Sequence, residues 1–227
     1  MRIRQLFVAM LLLLGANANA QLLWQKGVHY QEIASPQRAD VAPADKIEVV
    51  EVFSYGCPYC DKAKADIARL AASLPPDAVM GYVHASFVPA EAWPMFQRAF
   101  YAARELGIDQ AVHEAMFDAV WRTMEVPLLD KSTGRVRQPL PTIEDAAKFY
   151  ARMGSVKKED FLRVAKSPAV DAAVKRADAL VKAWRVPGTP SLVVNGRYIV
   201  NNEQPYATQA RVVQFLIAQE RARLGRR

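Results

Sequence analysis

The feature that most constrains this chain is its single pair of cysteines, Cys57 and Cys60, spaced as Cys-Pro-Tyr-Cys. Before the pair, residues 47–53 form an apolar, β-branched run that predicts a buried strand. After it, residues 61–74 carry apolar side chains at helical spacing, which predicts a helix with one buried face. The two cysteines therefore lie where a strand turns into a helix.

This position favours sulfur chemistry. The first turn of a helix has unpaired backbone N–H groups and the positive end of the helix dipole, and both stabilise an anion. Cys57 falls near the N-cap, and Pro58 suits the first helical position because its missing N–H would have no partner there. We predict that Cys57 is an exposed nucleophile with a lowered pKa and that Cys60, one turn further on, is more buried. A thiolate facing a second thiol is the equipment for thiol–disulfide exchange.

Two other interpretations of the cysteine pair are weaker. A structural zinc site needs four ligands, and beyond the cysteines the chain offers only three scattered histidines, His29, His84 and His113. No metal site is therefore predicted. A purely structural disulfide would close a very small loop, which in the loop-entropy account stabilises little.

The first twenty residues are typical of a secretory signal peptide. A basic start at Arg2 and Arg4 precedes a short apolar run over residues 6–14, and Ala18-Asn19-Ala20 fits a cleavage site between small residues. Removal of this segment would take the formal charge from +7 to +5. We expect no nucleic-acid partner for such an exported protein. The arginines near the C-terminus are expected to form a solvated tail with, at most, weak attraction to an anionic membrane surface.

The cysteine count also limits how the fold is held. An exported chain resides where disulfides persist, yet this one has no cysteine beyond the single pair. With 52% hydrophobic residues it is long enough to bury a core without a disulfide staple.

The order of predicted elements defines a fold class. A short edge strand is expected within residues 21–45, a second long strand within 78–88, helices from 91 to 185, a hairpin turning at Asn195-Gly196, and a last helix at 207–221. Thr142 and Asp145 resemble a capping box. This order predicts an α/β protein, a thioredoxin fold with an inserted all-helical domain. The expected segments are a signal peptide at 1–20, the first part of the thioredoxin-fold domain at 21–88, the helical insertion at 89–185 and the second part at 186–227.

Several side chains carry separate expectations. His84 on the second long strand is expected to be a partly buried, hydrogen-bonded residue rather than a catalytic one. Strand alternation places Glu51 on a buried face with Val49 and Phe53, which leaves Glu48 as the solvated neighbour. Four aromatic residues of the helical segment are expected to be core rather than the lining of a peptide groove: Trp93, Phe96, Phe100 and Trp121.

Two motifs and the helical insertion together resemble the DsbA family of exported thiol:disulfide oxidoreductases. The motifs are Phe53-Ser54-Tyr55-Gly56-Cys57-Pro58-Tyr59-Cys60 and the run from Gly188-Thr189-Pro190 to Tyr198. The resemblance implies that Cys57 is the attacking cysteine and Cys60 the resolving one. It also implies that Pro190 is a cis-proline facing the active site, where Thr189 helps to hold an extended substrate chain.

The same resemblance implies the biological setting. The substrates would be reduced, newly exported polypeptides in the periplasm, and a quinone-linked membrane oxidase of the DsbB type would reoxidise the protein. No dissociable cofactor is needed, and a monomer is expected.

Glu51 matches the acidic residue that the family keeps beneath the active site. Burial raises the pKa of a carboxyl group, which would let Glu51 carry a proton for Cys60. A basic partner for this acid would be expected on the next strand, but Tyr82 lies there instead.

The dipeptide between the cysteines is a second departure. Strongly oxidising members carry histidine where this chain has Tyr59, and tyrosine cannot become a cation near neutral pH. The sequence therefore predicts an oxidase of cysteine pairs that is less extreme than those members.

Two alternatives remain open at this point. Pro58-Tyr59 and the Gly188-Thr189 pair also suit a disulfide isomerase or reductase, although residues 21–46 are too short for the dimerisation domain of such relatives. A peptide-binding chaperone, whose groove matters more than its thiols, is the alternative from another class.

Overall fold

The structure is a computed structural model that describes residues 23–225. In this part of the chain five strands form one sheet in the order β1-β5-β4-β2-β3. The neighbours β2 and β3 are parallel, whereas the other neighbouring pairs are antiparallel. The strands are β1 (Tyr30–Glu32), β2 (Ile47–Phe53), β3 (Ala78–His84), β4 (Ser191–Val194) and β5 (Tyr198–Val200).

Helices flank the sheet and fill the interval between β3 and β4. A short 3₁₀ turn, Pro89–Glu91, precedes the first of the inserted helices. The helices are α1 (Pro58–Ser73), α2 (Trp93–Glu105), α3 (Asp109–Trp121), α4 (Ile143–Met153), α5 (Lys158–Ala165), α6 (Pro168–Ala183) and α7 (Tyr206–Arg223). None of the described helices is long and apolar enough to cross a membrane.

The expected order of elements is confirmed, with one strand shorter than predicted. β3 ends at His84 rather than near Val88. The last link to the central strand is the hydrogen bond from the Ala85 N–H to the Phe53 carbonyl, 2.7 Å long, after which the chain turns away. Phe87 is 42% exposed, so its apolar side chain does not mark a buried strand position. The predicted signal peptide lies outside the described residues.

Local sequence signals act as expected at two other places. Thr142 and Asp145 form a reciprocal capping box at the start of α4. The hairpin between β4 and β5 turns through Asn195 and Gly196, whose φ values are 51° and 60°. A Cβ on Gly196 would lie 1.9 Å from the Gln37 carbonyl oxygen, so the close approach of that loop requires glycine as well.

The sheet separates two hydrophobic clusters. Ile47 and Val49 of β2 belong to the cluster beneath α1 and α7. Val50 and Val52 belong to the larger cluster that contains the inserted helices. Because β2 is covered on both faces, all seven of its residues are buried.

That double cover corrects the expectation for Glu48, which is fully buried rather than solvated. Alternation does turn Glu48 away from the face of Glu51, but the opposite face is covered by residues 38–42. The Arg38 guanidinium lies 3.4 Å from the Glu48 carboxylate. The carboxylate also accepts hydrogen bonds of 3.0, 2.7 and 3.3 Å from the backbone N–H groups of Ala39, Val41 and Ala42.

The inserted helices contribute aromatic core residues. Trp93, Phe96 and Phe100 of α2 are buried, as predicted. Trp121 at the end of α3 is only half-buried. The ring of Phe100 packs edge-on against Phe53 of β2, with ring centroids 5.2 Å apart. The insertion therefore packs directly on the strand that leads to the cysteines.

Candidate active site

The cysteines are held by a tight turn between β2 and α1. The Cys57 N–H donates to the Ser54 carbonyl over 3.0 Å, and the Gly56 N–H donates to the Ser54 hydroxyl over 3.1 Å. Cys57 is the N-cap of α1, and its sulfur accepts a 3.4 Å hydrogen bond from the Cys60 N–H. The predicted placement at a helix N-terminus is confirmed.

The two thiols are unlinked and lie in different surroundings. The pKa of Cys57 is lowered to about 6, chiefly by the hydrogen bond with the Cys60 side chain. Hydrogen bonds from Thr189 and from the backbone of Cys60 and Tyr59 add to this effect, and burial opposes it. Burial raises the pKa of Cys60 well above its ordinary value, helped by the hydrogen bond to Cys57 and the charge of Glu51. The lowered pKa of Cys57 has the predicted direction, and Cys60 is fully buried, as expected.

The expectation that Cys57 is exposed is wrong, because only 3% of its surface is accessible. The loop before β4 lies over the thiol, and the Cys57 sulfur is 3.3 Å from the Thr189 carbonyl oxygen. The peptide bond between Thr189 and Pro190 is cis, as the resemblance to the DsbA family implies. A substrate sulfur must therefore approach Cys57 beside this loop.

A residue that the sequence analysis missed holds the far side of the same loop. The Asn202 side-chain amide donates 3.3 Å hydrogen bonds to the Pro190 carbonyl and to the Ser191 hydroxyl. Asn202 lies after β5, and its sequence context does not mark it. Only the approach of the β5–α7 connection to the loop reveals its role.

Glu51 lies beneath the cysteines and is 2% exposed, so its predicted burial is confirmed. Burial, with a smaller contribution from the charge of Cys57, raises its pKa to about 8. Among residues 23–225 no hydrogen bond or ion pair compensates this carboxyl group. Its register neighbours are Tyr82 on β3 and Leu192 on β4.

Two tyrosines, Tyr82 and Tyr206, lie close enough to Glu51 for its charge to affect their pKa values. Burial, followed by the charge of Glu51, raises the pKa of Tyr82 to about 12. The pKa of Tyr206, the first residue of α7, is also raised to about 12 by burial and then by the charges of Cys60 and Glu51. Both tyrosines are half-buried, whereas Glu51 is 2% exposed.

The remaining predicted site residues behave differently from one another. Pro58 is the first residue of α1, as expected. The Tyr59 ring is 66% exposed, with the Lys62 ammonium 5.7 Å from its centre. His84 is fully buried, deeper than predicted, and its Nε2 accepts a 3.2 Å hydrogen bond from the Tyr55 N–H. Burial lowers the pKa of His84 to about 3.

No group of three or more histidine, cysteine or carboxylate side chains within the described range is placed to hold a metal ion. The site brings together two sulfurs and a buried carboxyl group. An acidic thiol at a helix N-terminus, paired with a buried thiol in a thioredoxin fold, is the arrangement of a thiol:disulfide oxidoreductase.

Known proteins agree with this class. The chain is 33% identical to the thiol:disulfide interchange protein DsbA of Pseudomonas aeruginosa over 221 residues, which covers 95% of this chain and 94% of that protein. It is 32% identical to DsbA of Azotobacter vinelandii over 195 residues, covering 85% and 83% of the two chains. No family model matches the sequence.

Solved structures give the same answer. The crystal structure of the oxidoreductase DsbA from Xylella fastidiosa superposes with a TM-score of 0.76 at 33% identity, covering 88% of this chain and 99% of that one. DsbA of P. aeruginosa superposes with a TM-score of 0.73 at 30% identity, covering 89% and 97%. The chain belongs to the DsbA family. It is a thiol:disulfide oxidoreductase that oxidises cysteine pairs in substrate proteins, and the isomerase, reductase and chaperone alternatives are not favoured.

Proposed function

We propose that Cys57 is the attacking cysteine and Cys60 the resolving one. The observation that carries this assignment is the split between the two thiols, since the pKa of Cys57 falls to about 6 while that of Cys60 rises. In the oxidised protein a substrate thiolate attacks the Cys57 sulfur, forms a mixed disulfide and releases Cys60 as a thiolate. A second substrate thiolate then attacks the substrate sulfur of that bond and releases Cys57. The substrate gains a disulfide, and the two electrons that it gives up reduce both cysteines of this protein.

Glu51 supplies the proton that Cys60 needs in the first of these steps. With a pKa of about 8, the carboxyl group is protonated near neutral pH and can protonate the departing Cys60 thiolate. The high pKa of Cys60 makes this transfer favourable. The half-buried Tyr82 and Tyr206, whose pKa values the charge of Glu51 raises, provide hydroxyl groups through which the proton can be replaced from solvent.

Thr189 and Pro190 hold the substrate chain beside Cys57. The Thr189 carbonyl oxygen lies 3.3 Å from the Cys57 sulfur. An extended polypeptide that hydrogen-bonds to the backbone at Thr189 would carry its own cysteine to the reacting sulfur. Tyr59, which lies between the two cysteines in the chain, has an exposed ring.

The setting of the reaction is the periplasm, reached after removal of residues 1–20, and the protein acts there as a monomer. A membrane oxidase of the DsbB type reoxidises the reduced pair. Support comes from the membership of the DsbA family and from the leader-like sequence of the first twenty residues. Labelling of a tagged chain in separated periplasmic and cytoplasmic fractions tests the location.

The reduction potential tests the direction of electron flow. Mature protein is equilibrated with graded glutathione buffers, and the fraction of the Cys57–Cys60 disulfide is measured. The reduction potential of thioredoxin is about −270 mV, and that of a strongly oxidising DsbA is about −120 mV. We expect a value between the two and nearer the oxidising end. It should fall short of the strongly oxidising DsbA because Tyr59 cannot supply a cation to the Cys57 thiolate. A value at the thioredoxin end would contradict the oxidase and favour the reductase.

A further inference from the structure

Tyr55, two positions before Cys57, is held by more hydrogen bonds than a turn residue requires. Tyr55 is the second residue of the four-residue turn that the Ser54 carbonyl and the Cys57 N–H close. It is fully buried, and burial raises the pKa of its hydroxyl well above the ordinary value. The orientation of its two peptide groups determines where the Cys57 sulfur lies relative to the first turn of α1.

Three side chains bind all three polar groups of Tyr55. The Tyr55 N–H donates to His84 Nε2 over 3.2 Å. The Tyr55 hydroxyl forms a 3.0 Å hydrogen bond with His113 Nδ1. The Tyr55 carbonyl accepts a 2.9 Å hydrogen bond from the Trp121 indole N–H. His84 belongs to β3, whereas His113 and Trp121 belong to α3, so both the sheet and the inserted helices fasten the turn.

The tautomer of His84 shows that this hydrogen bond has a cost. Because Nε2 accepts from Tyr55, the proton of the neutral ring is on Nδ1, and that atom is buried without a hydrogen-bond partner among the described residues. An unpaired buried N–H destabilises the folded state. A hydrocarbon side chain would fill the space without this cost but could not accept from the Tyr55 N–H.

We propose that Tyr55, fastened by His84, His113 and Trp121, is a positioning residue for Cys57 that holds its sulfur against the amides of α1. This role for Tyr55 rests on the proposed assignment of Cys57 as the attacking thiol. The Sγ–N distance between Cys57 and Cys60 is 3.4 Å. A hydrogen bond weakens as its donor angle bends, so a tilt of the turn would weaken this one. Weaker hydrogen bonding raises the pKa of Cys57, destabilises the reduced state and makes the protein a weaker oxidant.

The test uses variants that remove single hydrogen bonds and keep the ring. Tyr55→Phe deletes the hydroxyl bonded to His113, and Trp121→Phe deletes the indole N–H bonded to the Tyr55 carbonyl. The matched control is Trp184→Phe, which deletes a 2.9 Å indole hydrogen bond to the Gln37 carbonyl, away from the turn. Reduction potential, thermal unfolding and the pH dependence of Cys57 alkylation by iodoacetamide are measured for each, with mass spectrometry to locate the modified cysteine.

We expect Tyr55→Phe and Trp121→Phe to shift the equilibrium constant with glutathione about three- to tenfold toward the disulfide, or about 14–30 mV at 29.6 mV per tenfold. The alkylation midpoint of Cys57 should move to higher pH in both. Trp184→Phe should lower the unfolding temperature and leave both redox readouts unchanged. Equal redox shifts in all three variants, or none in the first two, would overturn the proposal.

A second pair of variants separates hydrogen bonding from packing. The amide of His113→Asn can reach the position of Nδ1, whereas His113→Leu fills the space without a polar atom. Asparagine should retain most of the wild-type potential and leucine should shift it as Tyr55→Phe does. Equal potentials in the two variants would contradict the hydrogen-bond role. Alkylation at Cys60 instead of Cys57 in the wild-type protein would refute the assignment of the attacking thiol, which is a different failure.

Discussion

Two glutamates of the central strand are both buried yet differ in every surrounding group. Glu48 faces the loop at residues 38–42, where the Arg38 guanidinium and three backbone N–H groups bind its carboxylate. Glu51 faces α1 and the cysteines, where within the described chain no such partner meets it, and its pKa rises to about 8. Burial alone does not decide what a carboxyl group does. The compensated carboxylate of Glu48 binds a loop, whereas the uncompensated carboxyl group of Glu51 retains a proton near neutral pH.

The largest expected effect follows from removing the compensated group. Glu48→Ala removes the buried carboxylate that three backbone N–H groups and the Arg38 guanidinium contact, and breaking a buried ion pair in this way costs about 3–5 kcal/mol. Urea unfolding at pH 7 measures the loss. Glu51→Ala, measured in parallel, should cost far less, and an equal loss in the two variants would remove the contrast between them.

The next effect concerns the pH dependence that Glu51 creates. Its pKa is about 8 in the folded protein against the ordinary value of 4.5, so the folded state retains a proton that the unfolded state has lost. Stability should therefore fall as pH rises from 4.5 to 8, and remain lower above that range. Reduced Glu51→Gln lacks this loss, so its stability relative to wild type should rise by about 4 kcal/mol between pH 5 and pH 9. Urea titrations of both proteins at pH 5 and pH 9 measure this difference in stability. A difference that is no larger at pH 9 than at pH 5 would contradict the prediction.

Buried histidines give a pH dependence of the opposite sign. Burial lowers the pKa of both His84 and His113 to about 3, against an ordinary 6.5. Their neutral forms stabilise the fold fully above pH 6.5, and this stability is lost as pH falls toward 3. Each histidine should cost about 2 kcal/mol between pH 7 and pH 5. The stability difference between wild type and His113→Asn should change by this amount over that range, and parallel pH profiles would contradict it.

The smallest effect comes from making Glu51 resemble Glu48. Tyr82→Lys places a cation beside the carboxyl group, and an opposite charge nearby lowers a carboxyl pKa by about one unit or more. The decline in stability with rising pH should then begin and end at lower pH, shrinking by about 1.4 kcal/mol. Tyr82→Met is the uncharged control, since it also removes the ring that packs 4.3 Å from His113. Identical pH profiles for the lysine and methionine variants would show that the added charge does not reach Glu51.

The sequence predicted the parts of the site that depend on neighbours along the chain. The strand–helix junction at Cys57, the capping box at Thr142 and the Asn195-Gly196 turn each follow from a few adjacent residues. The errors at Glu48 and Cys57 share one cause, because the groups that cover them come from a separate loop or from distant Thr189. Tyr55 escaped notice for the same reason, since its partners His113 and Trp121 lie far along the chain.

The pairing of β2 with β4 has a consequence for the order in which the protein is completed. Val50 pairs with Val193, and the whole block of inserted helices lies between them in the chain. During synthesis from the N-terminus, β2, α1 and β3 leave the ribosome well before β4 and the loop that covers Cys57. Contacts this distant also form slowly. For that interval the cysteine pair lacks the cover that the Thr189 loop supplies, so a thiol or an oxidant has freer access to Cys57 than in the completed fold.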